Sequence, residues 1–476
     1  MNFVQIEFLW FMAAMFLTYW GVGQLRRGRV WQNVLLVGGS ALFYGWVHPW
    51  FLILLYFSAT LDFTLGQLIE RHRRYRHYLL LMSMAGNLGI LAYFKYFNFF
   101  VQNVIDLSSA LGIHGDLRTL AIILPVGVSF YTFQTMSYTI DIHRGELKAR
   151  TNFLDYLVYV TFFPQLVAGP IERAGRLLPQ VEQARTFDTT RVIDGLSLAV
   201  WGGFKKLAIA DTLAPYIDKV FVLEDPAGPM VWAAAVAFSI QIFADFSGYT
   251  DMARGTARML GFDLTENFKS PYLAASTPEF WQRWHISLSF WIRDYLMVPL
   301  LGSAGRLTLF RFLWATILTF TIIGFWHGAS WNFILFGAFH GFWMATYTLL
   351  ARIRPQWTSR IPLGRPMAIV FHFVAISAPG SMLFRETHLD RIVQHLSKHP
   401  LVATEEEWIA TAVVVGMTLL CAAPLVLSHF VERFALPRIR HSVWYLPMQT
   451  SAWAVFGLTM FVFYRVSTYD FIYFQF

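Results

Sequence analysis

The sequence has few charged residues and a single cysteine, and each shortage excludes a class of protein. Charged side chains make up 14% of the 476 residues, whereas 56% are apolar, and the mean hydropathy is +0.47. A soluble domain carries about 25% charged residues, so we expect this chain to lie largely in lipid. The one cysteine, Cys421, excludes intramolecular disulfides and cysteine-ligated metal sites and is expected to pack in the core.

Several motifs that would indicate other functions are also missing. The sequence has no P-loop, no GxSxG elbow and no HExxH pair, so ATPase, serine hydrolase and zinc enzyme classes lose their support. The net charge of +8 is spread over short blocks between apolar runs, so no nucleic acid partner is predicted. No internal repeat stands out, which disfavours a transporter built from two inverted halves.

Apolar runs long enough to cross a bilayer recur along the whole chain. A helix needs about 20 apolar residues to span the hydrocarbon core, and we predict an all-α polytopic membrane protein with about 11–14 transmembrane or re-entrant helices in a single domain over residues 1–476. The first run lacks a basic n-region, so we expect a retained helix. The clearer runs lie near residues 4–23, 78–100, 120–141, 193–211, 230–246, 309–326, 331–350, 367–384, 408–430 and 446–468.

Blocks of basic residues predict the orientation of these runs. Arginines and lysines cluster at residues 26–29, 71–76, 144–150, 352–365 and 433–440, and the positive-inside rule places such loops in the cytosol. The N-terminus and the C-terminus would then lie outside, and residues 32–66 would form a hairpin that turns near His48. Prolines and glycines break the apolar runs between residues 151 and 300, where we expect re-entrant or interfacial helices that enclose a polar cavity.

Two histidines lie inside apolar sequence. His327, in the segment Gly-Phe-Trp-His-Gly-Ala-Ser-Trp-Asn at residues 324–332, is either a general base that works near neutral pH or a buried imidazole bonded to a backbone carbonyl. His340 follows in the next run, about 20 Å along the axis if the path were straight. A hairpin would shorten that distance, and His340 is either a supporting catalytic group or an interhelical hydrogen-bonding partner.

Three further segments combine polar and aromatic residues. Residues 279–295 suit an amphipathic helix, with Trp281 on one face and Arg283 on another, and an aromatic belt is the alternative interpretation. Residues 245–251, with Asp245 and Tyr249, and residues 129–141, with Gln134, either line a cavity or hold helices together.

Several motifs in order give the sequence a resemblance to the membrane-bound O-acyltransferase family, and within it to the bacterial alginate O-acetyltransferase type. Their order covers roughly residues 30–345, and several ordered motifs are harder to obtain by chance than one short pattern. The motifs are Leu-Pro-Val-Gly-Val-Ser-Phe-Tyr-Thr-Phe-Gln at 124–134, Tyr-Thr-Ile-Asp at 138–141, Phe-Pro-Gln-Leu-Val-Ala-Gly-Pro at 163–170, Asp-Phe-Ser-Gly-Tyr-Thr-Asp-Met-Ala at 245–253, Glu-Asn-Phe at 266–268, Arg-Trp-His-Ile-Ser-Leu-Ser at 283–289 and Trp-His-Gly at 326–328.

The resemblance implies a helical fold around a central tunnel or funnel, with His327 essential for acyl transfer. It implies a supporting or tunnel-lining role for His285 and a less defined role for His340. We also expect Asn332 or Ser330 to stabilise the oxyanion. The further substrate or tunnel candidates are Trp326, Asp245, Tyr249, Gln134 and Arg283.

The resemblance also implies the partners of the reaction. The donor would be acetyl-CoA from the cytosol, with no bound cofactor and no metal, in the bacterial inner membrane. The acceptor would be an extracytoplasmic protein or exopolysaccharide. Cellulose, peptidoglycan or teichoic acid as final acceptors, a covalent acyl intermediate, and a transporter or flippase of the acyl donor or a glycan remain open alternatives.

Overall fold

The computed structural model describes residues 1–113, 117–302, 308–353, 364–439, 442–464 and 471–472. The described residues form helices joined by turns, with no β-strand among them, which confirms the predicted all-α class. The predicted cytosolic blocks at 352–365 and 433–440 lie partly outside the described residues, because 354–363 and 440–441 are not among them.

The chain forms two compact units. The first comprises residues 1–196 and 253–265. Its helices, in chain order, are α1 (Ile6–Gly23), α2 (Gly28–Gly45), α3 (Phe51–Arg71), α4 (Arg76–Leu91), α5 (Phe97–Ala110), α6 (Val128–Arg144), α7 (Phe153–Thr161), α8 (Phe163–Leu166) and α9 (Ala174–Glu182). The helix α10 (Thr189–Phe204) begins in the first unit and ends in the second.

The second unit comprises residues 197–252 and 266–476. After α10 its helices are α11 (Asp211–Val222), α12 (Gly228–Met259, whose last turns belong to the first unit), α13 (Thr277–Trp281), α14 (Ile286–Ile292), α15 (Val298–Leu301), α16 (Leu309–His327), α17 (Trp331–Ile353), α18 (Gly364–His372), α19 (Ala378–Arg385), α20 (Leu389–Ser397), α21 (Glu405–Phe430), α22 (Leu436–Ile439) and α23 (Tyr445–Phe463). Single π-helical turns extend several of them, at Ala92–Tyr96, Lys205–Ala210, Arg293–Met297, Phe373–Ser377 and Val431–Ala435.

Within the described ranges, nine helical stretches are long and apolar enough to cross a membrane. They agree with most of the predicted runs, so the chain is an integral membrane protein. Helices α2 and α3 are joined by residues 46–50, at the turn predicted near His48, and the course of this hairpin across the membrane stays a prediction. The nine stretches are Ile6–Gly23, Phe51–Arg71, Arg76–Ala110, Gly228–Met259, Leu309–His327, Trp331–Ile353, Gly364–Arg385, Glu405–Ile439 and Tyr445–Phe463.

The predicted run at 120–141 is placed differently. Residues 117–127 carry no helix, and α6 begins only at Val128, after Gly127 has turned the backbone with a φ of 76°. A Cβ at Gly127 would lie 2.7 Å from the backbone oxygen of Leu166, so only glycine fits this turn. The hydroxyls and amides of α6 are mostly buried in protein, so this helix is a core element and not a lipid-facing one.

The predicted continuous helix at 279–295 is wrong. Helix α13 ends at Trp281, and α14 starts at Ile286 after His285, which has a φ of 43°. Asn267 stabilises this break: its carbonyl accepts from the Ile286 amide at 3.0 Å, and its side-chain oxygen accepts from the Ser287 amide at 3.1 Å. Tertiary hydrogen bonds therefore replace the helical ones that the spacing predicted.

A buried polar network joins α3, α4 and α6 in the first unit. The Asp62 carboxylate accepts from the Ser83 hydroxyl at 2.6 Å and from the Asn87 amide at 2.7 Å. Ser83 also contacts the Thr139 hydroxyl at 2.9 Å, and Ser58 donates to the Asn87 amide oxygen at 2.6 Å. Such hydrogen bonds satisfy polar groups inside the membrane, where water cannot.

Candidate active site

A cavity in the second unit brings His327 and His340 together. Most of its wall is aromatic, and the few polar groups are the two imidazoles, two serine hydroxyls and the polar edges of Tyr and Trp. The lining residues are Ile242, Tyr272, Phe280, Trp281, Trp284, His327, Phe336, His340, Ser377, Ser381 and Phe384.

The hairpin of α16 and α17 explains why two histidines thirteen positions apart line one cavity. Helix α16 ends at His327, and α17 starts at Trp331, so the chain reverses within three residues. Gly324 and Gly337 let the two helices touch: a Cβ on Gly324 would lie 2.1 Å from the Phe333 carbonyl oxygen and 2.8 Å from the Gly337 Cα. Close backbone approach through small residues is typical of packed membrane helices.

Aromatic rings surround the His327 imidazole. Its ring centroid lies 5.0 Å from that of Trp326, 6.0 Å from that of Phe336 and 5.5 Å from that of Phe384. The side chain is 5% exposed. These rings keep bulk water from the imidazole, which lines the cavity. The general-base role of His327 stays a prediction.

His340 is held more tightly. Its ring stacks on Phe280, with centroids 6.3 Å apart and an angle of 8°, and stands perpendicular to Trp281 at 5.3 Å. Gly380 leaves the room for it, because a Cβ there would lie 2.5 Å from the His340 Nε2. The predicted hairpin that brings His340 near His327 is therefore present, and its catalytic role stays a prediction.

His285 does not line this cavity. It is fully buried at the break between α13 and α14, with its ring edge-on to Phe246 at 4.7 Å. Burial lowers the pKa of the His285 imidazole to about 3, so the ring is neutral at physiological pH. His285 therefore takes the left-handed backbone position that separates α13 from α14, with its ring in the core. Its supporting role in catalysis stays a prediction.

The two residues predicted to stabilise the oxyanion are not among the lining residues. Asn332 is fully buried, and its amide donates to the Leu383 carbonyl at 3.0 Å, which ties the start of α17 to α19. Ser330 is half-buried in the turn, where its amide donates to the Gly328 carbonyl at 2.9 Å. The geometry gives both residues a part in the hairpin that presents His327.

Trp326 and Arg283 are also placed beside the cavity lining and not within it. Trp326 packs against the His327 ring from the same helix. Arg283 donates to the Glu279 carboxylate at 2.7 Å, and Arg365 donates to the same oxygen at 2.7 Å. The spacing indicated an i,i+4 pair of Glu279 and Arg283, and this pair forms although α13 ends at Trp281, between the two residues.

Asp245 and Tyr249 belong to a second buried group in the same unit. The Lys206 ammonium lies 2.8 Å from Asp245 and 2.8 Å from Asp211, and all three side chains are at most 8% exposed. Tyr249 stacks on Phe471 at 4.7 Å. Of the two interpretations that the sequence left open for Asp245, the ion pair with Lys206 supports the one in which it holds helices together.

Gln134 lies in the first unit, on α6. Its amide donates to the Tyr159 carbonyl at 2.6 Å, and the Gln165 amide donates to the same carbonyl at 2.8 Å. Both residues are buried. Gln134 therefore contributes to the packing of α6 against α7, and its predicted role in the tunnel stays a prediction.

Sequence reasoning missed most of the wall of the cavity. Ser377, Ser381 and Phe384 come from the run at 367–384, which was interpreted only as a span. Helix α19 begins at Ala378, directly after the π-helical turn, and carries Pro379 and Gly380. This interruption of an apolar run by proline and glycine is the signal that would have indicated broken helix next to a site.

Among known proteins, the model of the membrane-bound O-acyltransferase family matches residues 143–384. A probable alginate O-acetylase from Azotobacter vinelandii is 38% identical over 394 residues, which are 82% of this chain and 76% of the relative. A probable alginate O-acetylase from Pseudomonas aeruginosa is 38% identical over 322 residues, which are 67% of this chain and 61% of the relative. A peptidoglycan O-acetyltransferase from Helicobacter pylori is 29% identical over 419 residues, 81% of this chain and 77% of the relative.

These similarities confirm the predicted family and the predicted class of enzyme, an O-acetyltransferase. The matched segment contains both histidines of the cavity, the break at His285 and all of helix α19 except its last residue. The family model matches half of the chain, and the Azotobacter relative aligns with most of it. The chain therefore belongs to the membrane-bound O-acyltransferase family.

Proposed function

We propose that the chain moves an acetyl group from a cytosolic thioester, acetyl-CoA, to a hydroxyl of an extracytoplasmic acceptor during acetylation of an exopolysaccharide of the alginate type. The observation that carries the proposal is the cavity, where the imidazole of His327 at the end of α16 and that of His340 line one mostly aromatic wall. The names of the relatives from Azotobacter and Pseudomonas support the choice of polymer.

His327 would act as the general base. As the acceptor hydroxyl attacks the thioester carbonyl, the imidazole takes its proton, a new C–O bond forms and the C–S bond breaks. The proton then passes to the departing thiolate. General base catalysis by a positioned histidine contributes about 10²- to 10⁴-fold in rate, and the aromatic wall excludes water that would otherwise hydrolyse the thioester.

The arrangement of α16 and α17 supports transfer across the membrane. Arg311 lies in the first turn of α16 and Arg352 in the last turn of α17, so the positive-inside rule places these ends in the cytosol. The turn after His327 would then lie toward the other face. On this orientation the acceptor would lie outside. The basic block at residues 26–29, after the first helix, would place the N-terminus outside as well, and we propose that the membrane is the bacterial inner membrane.

The acceptor would reach this chain through a partner. Helices make up most of the described residues, and none of the described loops forms a glycan-binding domain. We therefore infer an extracytoplasmic protein that carries the acetyl group to the polymer. Peptidoglycan is the second candidate polymer, because the Helicobacter relative that aligns with 81% of this chain is a peptidoglycan O-acetyltransferase.

Purified full-length protein in lipid nanodiscs tests the chemical step. Radiolabelled acetyl-CoA and soluble oligosaccharide acceptors would be supplied, with CoA release and acceptor labelling measured together. We expect His327→Ala to lose at least about 100-fold in turnover, while His388→Ala, at an exposed histidine, keeps it. Equal turnover in both variants would contradict the assignment. Transport of labelled acetyl donor into vesicles without CoA release would favour the transporter alternative.

A second experiment identifies the polymer. In a deletion strain complemented with the parent chain or His327→Ala at equal membrane levels, acetyl content would be measured in secreted exopolysaccharide and in peptidoglycan. Loss of acetyl groups from the exopolysaccharide alone is the expected result. Loss from peptidoglycan alone would transfer the proposal to the second candidate.

A further inference from the structure

One hydrogen-bond donor in the wall of the cavity has no acceptor among the described residues. The indole of Trp281 lines the cavity and is 7% exposed, and its Nε1–H is buried with no hydrogen-bond partner in the described part of the chain. Buried donors are almost always paired, because an unpaired one costs about 1–3 kcal/mol. A substrate group in the cavity would supply the acceptor that the described residues do not provide here.

The position of this indole is fixed from several sides. Its ring contacts Phe320 of α16 at 5.2 Å and Phe280 at 5.4 Å. It stands perpendicular to the His340 ring at 5.3 Å, and His340 is in turn held against Gly380. Helix α13 ends at this residue, after a start capped by the Ser276 hydroxyl. A donor held by packed rings does not have to reorganise when charge develops near it.

Several other candidate donors near His327 are bonded to protein groups or lie outside the cavity wall. The Asn332 amide donates to the Leu383 carbonyl, and neither Asn332 nor Ser330 lines the cavity. Ser381 lines the cavity, and its hydroxyl is in a hydrogen bond with the Ser239 hydroxyl at 2.8 Å. His340 also lines the cavity, and its buried Nδ1 has no partner among the described residues. Trp281 differs from it because an indole N–H is always a donor, whereas a neutral imidazole carries its proton on one of two nitrogens.

We propose that the Trp281 Nε1–H donates a hydrogen bond to the acyl carbonyl oxygen of the donor thioester and stabilises the negative charge that forms there. This inference rests on the proposed function. When the acceptor oxygen attacks the carbonyl carbon, the C=O electron pair moves onto the oxygen that Trp281 binds. His327 holds the acceptor proton, the C–S bond then breaks, and the proton leaves with the thiolate. Trp281 gains and loses no proton in this sequence.

The test compares Trp281, which lines the cavity, with a second tryptophan that has the same unpaired N–H in the described part of the chain but lies outside the cavity wall. Trp232 on α12 also has a buried Nε1–H without a partner among the described residues, and it does not line the cavity. We expect Trp281→Phe, which keeps the aromatic contacts, to lower kcat about 10²-fold with the KM for acetyl-CoA changed less than about threefold, as for loss of one oxyanion donor. Trp232→Phe should keep kcat within about twofold.

A shape-preserving replacement keeps the test valid if Trp281→Phe fails to fold. Genetically encoded 3-benzothienylalanine at position 281 keeps the bicyclic ring and replaces N–H by sulfur, and it should cause the same loss of kcat. Parental kcat with this residue would overturn the proposal, as would parental kcat in folded Trp281→Phe. A parent enzyme that releases no CoA with any hydroxyl acceptor would instead overturn the proposed function, so the two failures are distinguishable.

Discussion

Replacing Gly324 by alanine should move His327, the proposed general base, without touching it. A Cβ at this position would lie 2.1 Å from the Phe333 carbonyl oxygen. Side-chain carbons essentially never approach other atoms closer than 3.0 Å, so the backbone of α16 must retreat from α17 by about 0.9 Å at this point. His327 lies three residues further along the same helix, less than one turn away, and so should be displaced by a similar distance.

The expected cost follows from two terms. Alanine is favoured over glycine in a helix by about 1 kcal/mol, and overpacking of a close contact costs about 1–3 kcal/mol, so stability changes little or falls by up to about 2 kcal/mol. Turnover is more sensitive, because a misplacement of about 1 Å at a reacting group costs on the order of 10²-fold. We therefore expect Gly324→Ala to remain folded and to lose about 100-fold in kcat.

The assay is CoA release by purified variants, together with their unfolding temperature in detergent. Gly416→Ala on α21 is the matched control, since a Cβ there meets nothing within 4 Å, and it should keep parental turnover. Parental kcat in Gly324→Ala would refute the argument that glycine contact between α16 and α17 positions His327.

Three further predictions concern buried charges. Asp62→Ala leaves two donors of its network unpaired and should destabilise the protein by about 1–3 kcal/mol for each, measured by thermal unfolding. Lys206→Met leaves the Asp211 and Asp245 carboxylates buried without their cation and should cost about 3–5 kcal/mol. Burial raises the pKa of the Glu172 carboxyl above its ordinary 4.5. The free energy of unfolding of the parent should therefore fall as pH rises from 4.5 through the raised pKa. Over that pH interval Glu172→Gln should gain stability relative to the parent.

Each of these predictions has a control. Asp62→Asn keeps one acceptor oxygen and should recover part of the loss, and an Asp62→Ala protein that unfolds at the parental temperature would contradict the role of the network. The double variant Lys206→Met/Asp245→Asn should be more stable than Lys206→Met alone. Parallel stability curves against pH for Glu172→Gln and the parent would show that this carboxyl is not perturbed.

The sequence alone determined that this protein lies in a membrane, where most of its helices are, and that it belongs to a class of acyltransferases. The low charge content and the repeated apolar runs are properties of many residues together, so an error about a few residues does not change the prediction drawn from them. The Trp-His-Gly segment at His327 also stood out, because polar residues inside apolar sequence are costly and therefore few.

Only the tertiary structure decided which polar residues meet. A period of 3.6 residues predicted one helix through 279–295, but the carbonyl and side chain of Asn267 stabilise a left-handed residue at His285 and end it. The sequence left two interpretations open for Asp245, and it did not indicate that Lys206, thirty-nine residues earlier, lies beside it. Local patterns report the neighbours of a residue along the chain, whereas ion pairs, caps and cavity walls depend on partners that are distant in sequence, and only folding brings those partners into contact.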